Sequence, residues 1–514
     1  MPNLSRRHFL QAGTAMAAAA ALGPRLAFAA EGGSLTVAVS SLPATLEPGR
    51  ETGNNAVRIT YNIFDKLLDY DFDDNMKVIP RLAESYAVAD DREITFKLRE
   101  GVKFHNGDTL TAEDVAFTFG EDRRENSGST RLRDYFSGIE AVEVVDPLTV
   151  RFRMKEVDPL IVERFAIWTS DIISKRAYEE AADWDAWARN PIGTGPFRLS
   201  GSIQTDRIVI EAFPDHFDGA PNVERVTFFD VPELAARVAG LAAGDYDIAA
   251  EVPPDQLDMV ERNDNLRITG GPIAEIRCLV FNQGEQAQPI MRDVHLRRAL
   301  SLAIDRELIV EALWDGRTIV PAGLQLATFG DKYAERPGPR YDPEEAMAEL
   351  AQSAYSGEKL YFPLLPNYYT AEVATCEVLR EMWLAVGIDV ELAILENFDQ
   401  ITRGRHDIRN FATTLVYQDP SAAIWRLFNP TVVAGRGWGF DNAEFNALGT
   451  VMDSDSDPAA RRDAFAKMAD IWEYDDPMGA ILFQGAMYYG QRKDLDWHPY
   501  PLQFMDFSNR NLGA

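Results

Sequence analysis

The sequence predicts an α/β protein with more than one domain, and three observations carry that expectation. Residues 371–386 place apolar side chains at helical spacing, Gly387 supplies a helix stop, and Ile388-Asp-Val390-Glu-Leu392-Ala-Ile394 alternates with the period of a strand. A helix that feeds a strand this directly implies an α/β layer. Strict alternation recurs in Ile94-Thr-Phe96-Lys-Leu98 and in Leu148-Thr-Val150-Arg-Phe152-Arg-Met154, the pattern of half-buried strands. Finally, 514 residues exceed what one core organises, so two or three compact domains are expected.

The elements follow in order. Ser5-Arg6-Arg7-His8-Phe9-Leu10 precedes an alanine-rich apolar run that ends in Ala27-Phe28-Ala29, the order of parts in a twin-arginine export signal. The apolar stretch over residues 12–22 is about half of what spans a bilayer at ~1.5 Å rise per residue, so it reads as a removable signal over residues 1–29 and not as an anchor. Residues 34–39 read as a strand and 56–68 as a helix. Thr111-Ala-Glu-Asp114 has the form of a capping box opening a helix through Val115 and Phe119. Residues 233–244 read as a helix ending in glycine. From Arg292 onward Leu296, Ala299, Leu300, Ala303 and Ile304 form a helical stripe, and Asp342-Pro343 and Asp457-Pro458 each resemble an N-cap followed by proline at the first helical position. No repeat or low-complexity segment follows the signal.

Charge narrows the partners. Removing Arg6, Arg7 and Arg25 with the signal takes the formal charge from -30 to -33. A surface this acidic repels phosphate backbones and anionic headgroups, which argues against nucleic-acid and membrane-surface partners. Cys278 and Cys376, the two cysteines, lie within apolar patterns and are expected as buried free thiols.

A search for catalytic chemistry finds little. Gly193-Thr-Gly195-Pro196 begins like a dinucleotide fingerprint, but Arg198 stands where the third glycine belongs. No Walker A, His-Glu-x-x-His or Gly-x-Ser-x-Gly motif occurs, and the six histidines are scattered without ligand spacing. Acidic neighbours such as Asp73-Asp74, Asp90-Asp91 and Asp475-Asp476 are what an acidic chain produces in solvated turns. The aromatic residues are more informative, because Tyr368, Tyr369, Tyr417, Trp425, Trp438 and Phe440 lie in or beside polar, turn-rich segments, where aromatic rings often wall a pocket.

Several segments together resemble the family 5 extracellular solute-binding proteins, the group containing dipeptide-, oligopeptide- and nickel-chelate-binding components of ABC importers. The most specific stretch is Ile79-Pro-Arg-Leu-Ala-Glu-Ser-Tyr86, continued by Ile94-Thr-Phe-Lys-Leu-Arg-Glu-Gly-Val-Lys-Phe-His105-Asn-Gly-Asp108 and Thr111-Ala-Glu-Asp-Val115. Ile192-Gly-Thr-Gly-Pro-Phe197, Phe281-Asn282, the segment 294–305 and Val386-Gly-Ile-Asp-Val390 add to it. The resemblance implies an α/β, two-lobe periplasmic binding protein fold with an extra subdomain inserted in the first lobe. In these terms lobe I covers residues 30–277 with an insertion at about 75–190, lobe II covers 278–483, and 484–514 return to lobe I. The crossings are expected near 274–283 and 481–489. It also implies a periplasmic location, no catalysis, no cofactor and no metal. The partners would be a small-molecule or short-oligomer ligand and an inner-membrane ABC permease, with the mature chain a monomer that does not enter the membrane. Two alternatives stand beside this: an exported hydrolase acting on polymers, which needs a carboxylate pair in one cleft, and a chemoreceptor adaptor or chaperone on the same fold.

The resemblance also marks candidate ligand residues. Dipeptide-binding relatives carry an arginine two residues before a tyrosine, ahead of the helix matching 371–386, and here those positions are Asn367 and Tyr369. The relatives' Trp-x-x-Asp, anchored on Asp419-Pro420, falls on Thr413 and Val416. Without both charges a zwitterion loses several kcal/mol per ion on leaving water, so a free dipeptide is disfavoured unless Asp419 or Arg426 takes over. Asn367, Thr413 and Thr414 offer neutral hydrogen bonds instead. The expected ligand is thus an oligosaccharide or a larger peptide-derived or opine-like solute, held by Asn367, Tyr368, Tyr369, Thr413, Thr414, Val416, Tyr417, Asp419, Trp438 and Phe440.

Overall fold

Alternating burial sets the strands, and a computed structural model describes residues 33–513 apart from 52, 127, 129, 367 and 397. The signal segment therefore lies outside the described residues. The first strand, β1 (Gly33–Val39), is followed by a helix at Asn54–Ile63 whose residues from Ala56 onward are all buried. That helix is shorter than the stretch 56–68 expected from spacing. Phe64 turns extended, and the remaining apolar residues join β2 (Leu68–Asp71), paired in a hairpin with β3 (Lys77–Pro80).

Next come β4 (Ala83–Ala89), β5 (Glu93–Leu98), β6 (Ile139–Asp146) and β7 (Thr149–Met154), a separate antiparallel sheet in the order β4-β5-β7-β6. Ile94, Phe96 and Leu98 of β5 and Val150, Phe152 and Met154 of β7 point into a core shared with Phe119 and Phe165. Between β5 and β6 the capping box forms: Asp114 Oδ2 accepts the Thr111 backbone N–H at 3.0 Å, opening a helix at Ala112–Thr118.

The chain continues through β8 (Phe197–Leu199), β9 (Arg207–Ala212), β10 (Val223–Asp230), β11 (Ile248–Ala249), β12 (Leu266–Phe281), β13 (Leu360–Leu364), β14 (Val390–Ile394), β15 (Ile408–Thr414) and β16 (Gly479–Arg492). Eight of the strands form one mixed sheet in the order β15-β12-β16-β11-β1-β10-β9-β8. Its spine is β12 and β16, which are 16 and 14 residues long. The first half of β12 pairs with Ala486–Arg492 in register Leu266↔Arg492, on the side of β11 and β1. Its second half pairs with both β16 and β15, and the ladder between β12 and β16 lapses from Pro272 to Ile276. Both strands thus run the length of the sheet's middle, and at residues 273–275 β12 leaves β16 while Glu275 stays paired with Thr414 of β15.

The helix-to-strand unit that motivated the α/β reading is a helix at Glu372–Ala385 and then β14, which pairs in parallel with β13. Ala371 stands outside the helix because it adopts φ 55°. Ile388 stands outside the strand because its N–H still donates to Trp383 O, closing the helix through Gly387 at φ 95°. Three apolar cores result. One centres on Trp187 and Trp497 around β1 and β10, another on Trp314 and Trp383 under β13–β15, and the third joins the four-stranded sheet to Trp438 and Trp472. Cys278 and Cys376 are buried free thiols.

Candidate functional site

The two lobes enclose a cavity of about 820 Å³, within the ~300–1,000 Å³ typical of small-molecule sites. The loop after β1 supplies Ser40 and Ser41, and the first turns of the helix Asn54–Ile63 supply Asn54 and Arg58, one helical turn apart on the same face. Arg58 Nε donates to Asn54 O at 2.6 Å, and its Nη2 donates to Glu251 Oε1 at 2.8 Å. Glu251 follows β11 with φ 59°, a left-handed backbone that a non-glycine residue adopts at a cost of ~1–3 kcal/mol and keeps where the surroundings over-determine it. Glu275 sits where β12 has left β16 but still pairs with Thr414 of β15, and it accepts from Gln503 Nε2 at 3.1 Å and from the Thr414 hydroxyl.

The second lobe supplies the opposite charge. Arg409 and Phe411 are two residues apart on β15 and so share a face. Arg426 lies on the helix Ile424–Phe428, where its Nε donates to Ala422 O at 2.6 Å and its Nη2 to Thr414 O at 3.0 Å. Arg436 ends the helix Pro430–Arg436, with its guanidinium 4.7 Å from the Trp438 ring centroid. Three guanidinium groups therefore line the second-lobe wall, and two carboxylates line the first-lobe and crossing side.

The two carboxylates differ electrostatically. Burial pushes Glu251 up, but the Arg58 guanidinium, the Ser40 hydroxyl and Arg237 outweigh it and hold the carboxyl below the usual glutamate value. Burial pushes Glu275 up, and Arg277 with the Thr414 and Gln503 hydrogen bonds offsets only part of it. Arg277 is itself engaged, donating to Asn410 Oδ1 at 2.7 Å with its guanidinium 3.0 Å from the Tyr369 ring centroid.

Of the residues picked from the sequence, Tyr368, Tyr369, Thr414 and Val416 line the cavity, and the two tyrosines meet edge to face at 4.6 Å. Thr413 points to the other face of β15 from Thr414 and is fully buried. Tyr417 is buried in the third core, Trp438 packs edge-on to Phe411 at 5.5 Å, and Phe440 packs edge-on to Phe445 at 5.3 Å. Asp419 accepts from Arg461 Nη2 at 2.6 Å, away from the cavity. Asn367 lies outside the described residues. Reading the sequence missed Arg58, Glu251, Glu275, Arg409 and Arg436. A signal existed for two of them: Glu275 interrupts the apolar run Ile273–Phe281, and Arg409 follows Ile408 in a strand-like stretch, where charge without purpose is rare.

The lobes also touch outside the cavity. Tyr70 Oη donates to Val416 O at 2.9 Å, Lys332 pairs with Glu163 at 3.4 Å, and Arg426 lies 5.6 Å from the Tyr135 ring centroid. These contacts join the four-stranded sheet and its neighbours to the second lobe.

The sequence-family model described as bacterial extracellular solute-binding proteins, family 5 Middle, matches residues 77–435, well over half of the chain. The chain belongs to this family. As a family 5 solute-binding protein it is the solute-capturing component of an ABC importer, working with a permease. The twin-arginine translocation signal model matches residues 3–23, and the protein is exported to the periplasm. A glutathione-binding protein GsiB from Shigella flexneri is 29% identical over 386 residues, covering 74% of this chain and 73% of that protein. Its Escherichia coli K12 counterpart is 28% identical over 387 residues, again 74% and 73%. The fold matches the dipeptide binding protein of Pseudoalteromonas sp. SM9913 in complex with Met-Leu, with a TM-score of 0.83 at 19% identity over 93% of this chain and 99% of that one. It also matches NikA of Staphylococcus aureus in complex with Ni(L-His)2, with a TM-score of 0.81 at 16% identity over 94% and 100%. Both likenesses establish the two-lobe periplasmic binding protein fold. Among the described residues, no helix is long and apolar enough to cross a membrane, and no three metal-type side chains cluster as a metal site.

Proposed function

We propose that this family 5 protein captures an anionic, peptide-derived solute that carries two or more carboxylates and one amine, and delivers it to its permease unchanged. The observation that carries this reading is the division of charge in the cavity, with Arg409, Arg426 and Arg436 on one side and, on the other, Glu275 and the Glu251 carboxylate that Arg58 pairs with. Carboxylates of the solute go to the guanidinium wall, where charge-assisted hydrogen bonds are strong, and its ammonium goes to the glutamates. Glutathione has this pattern of groups, and the GsiB proteins that share 28–29% identity are named for binding it.

This narrows the expected ligand, an oligosaccharide or a larger peptide-derived or opine-like solute, to the peptide-derived class. The case for a neutral solute rested on the uncharged residues Asn367 and Val416 at positions where dipeptide-binding relatives carry charge. Other segments bring charges into the same cavity, so a zwitterion does not leave water uncompensated. Closure couples to capture because a solute held by both lobes stabilises the closed state.

Titration calorimetry with glutathione, a neutral oligosaccharide such as maltotriose, and Ala-Ala tests the reading. Glutathione is expected to bind in the micromolar range, about -8 kcal/mol, and maltotriose not at all; tight maltotriose binding without glutathione binding would reverse it. Recovery of glutathione unchanged after incubation checks the absence of catalysis, and sedimentation of the pure protein checks the monomer. The division into lobes at 277/278 and 483/484, with an insertion at about 75–190, belongs to the same reading. It is supported by the break in the β12–β16 ladder at 273–275 and by the separate sheet β4-β5-β7-β6.

A further inference from the structure

The helix Asn54–Ile63 begins at the main cavity, with Gly53, Asn54 and Asn55 among the lining residues. Its N-cap, Gly53, has no side chain to cap the first turn, and that turn contains no acidic residue. The backbone N–H groups of Asn54 and Asn55 have no acceptor among the described residues. Unpaired N–H groups and the positive end of the helix dipole together favour an anion. Glu51, the nearest acid before the helix, accepts from the Thr45 hydroxyl at 3.3 Å and does not line the cavity.

A second observation points the same way. Arg58, one turn further along the same face, is only 2% exposed and lines the cavity. Its Nε and Nη2 donate to Asn54 O and Glu251, but its Nη1 has no acceptor among the described residues. A buried donor left unsatisfied costs ~1–3 kcal/mol, which an oxygen of the ligand relieves. Glu251 is already held by Arg58 Nη2 and by the Ser40 hydroxyl. The acid that remains for a cation is Glu275, which makes no ion pair among the described residues and accepts from the neutral Gln503 and Thr414. Ser40, Asn54, Glu251 and Glu275 all stand where the main cavity meets an adjoining pocket, and Arg58 is bonded to two of them. The helix terminus, the unsatisfied guanidinium nitrogen and the unpaired acid therefore lie at one end of the cavity.

We infer that this end holds a whole α-amino-acid head, its ammonium on Glu275 and its carboxylate on Arg58 Nη1 and the N–H groups of Asn54 and Asn55, so that the solute is joined through a side-chain carboxyl, as a γ-glutamyl compound is. An α-linked peptide brings only an ammonium here, because the carboxyl of its first residue is consumed in the amide bond, and the donors of Arg58 and the helix then go without an anion. A γ-glutamyl compound keeps ammonium and carboxylate on one carbon. The inference rests on the proposed capture of an anionic, peptide-derived solute and refines it: one carboxylate goes to the guanidinium wall of the second lobe, the other crosses to the first lobe, and the linkage of the solute is what the site reads.

Calorimetry on the mature protein compares glutathione with its isomer α-Glu-Cys-Gly, which has the same atoms and the same charge but a free side-chain carboxyl. Glutathione is expected to bind roughly tenfold tighter or more, as hydrogen bonds to a charged group predict. Equal affinities, or tighter binding of the α isomer, overturn the head site and leave the anionic solute standing. Asn54→Pro then tests the seat of the carboxylate. Proline suits the first position of a helix and removes one N–H, and Gly53 at φ -75° and ψ 163° already has the backbone that precedes proline. The variant is expected to melt near the native chain and to narrow the ratio between the isomers by roughly twofold to fivefold; an undiminished ratio overturns the helix terminus as that seat. If neither tripeptide binds, the anionic reading falls and γ-glutamylethylamide decides, because it carries the whole head and no second carboxylate. A melting temperature raised by this compound but not by N-ethyl-γ-aminobutyramide, which lacks only the head carboxylate, leaves the head site standing, whereas equal effects or none overturn it.

Discussion

The two sides of the cavity carry opposite charge and keep it by different means. On the second-lobe wall the guanidinium of Arg436 rests on Trp438, that of Arg409 is 5.8 Å from the Phe411 ring centroid, and Arg426 donates to backbone carbonyls. Guanidinium remains protonated even where burial pushes it down, as it does at Arg409, so this wall is cationic at every physiological pH. On the other side Glu251 is kept ionised by Arg58, whereas Glu275, without such a partner, is pushed toward its neutral form. The anionic end of a ligand therefore meets a fixed charge, and the cationic end meets one that burial can switch off.

The largest effects should come from the groups that hold each side in shape. Trp438→Ala empties a fully buried site behind the arginine wall and is expected to cost ~3–5 kcal/mol of stability in urea unfolding without ligand. A loss below 1 kcal/mol would mean that the ring is a free pocket wall. On the glutamate side, Arg58→Met strands Glu251 in a largely buried position, and a comparable ~3–5 kcal/mol is expected from the same measurement. Unchanged stability would show that the pair contributes nothing to the fold.

Binding changes come next. Arg409→Gln removes one charged donor from the wall and should weaken glutathione by about 1.5–3 kcal/mol in calorimetry, with little dependence on pH between 6 and 8. An effect confined to one end of that range would contradict a fixed cationic wall.

The smallest effect is the most diagnostic. Glu275 has a folded-state pKa above the 4.5 of a free glutamate. Between these two values the unfolded chain ionises while the folded chain resists, so the ligand-free protein loses stability as pH rises from 4.5 through the raised pKa. Glu275→Gln has no charge to desolvate. It should melt higher than the native chain near neutral pH, by about 0.5–2 kcal/mol in stability, with the gain vanishing at acid pH. It should also bind amine-bearing ligands more weakly. A variant that is less stable at neutral pH would remove the switchable character assigned to this side.

Local patterns carried most of the fold. The alternation of Ile94, Phe96 and Leu98, the capping box at Thr111 and Asp114, and the N-caps Asp342 and Asp457 depend on neighbours within a few residues, and each appears in the structure. The cavity was much less legible, because Arg58, Glu251, Glu275 and Arg409 come from segments that meet only when β12 and β16 are laid side by side. Thr413 and Thr414 illustrate the limit: adjacent in sequence and alike in chemistry, they are separated by the pleat into a core position and a cavity position. Trp438 and Phe440 were attractive as pocket walls for their polar surroundings in the chain, but the apolar neighbours that bury them, Phe411, Phe428 and Phe445, become visible only in three dimensions.

The long strand β16 has a consequence for how the protein is made. Its residues Ala486–Arg492 complete the ladder beside β11 and β12, and the segment after it contributes Trp497, Met505 and Phe507 to the core around β1. The first lobe to leave the ribosome is thus the last to be finished, and it cannot close its sheet until nearly the whole chain has been synthesised. A route that threads an unfolded chain outward from its N-terminus would expose β1 and its partners long before β16 arrives. A twin-arginine route, which carries folded cargo, lets the first and last strands find each other in the cytoplasm before the protein leaves it.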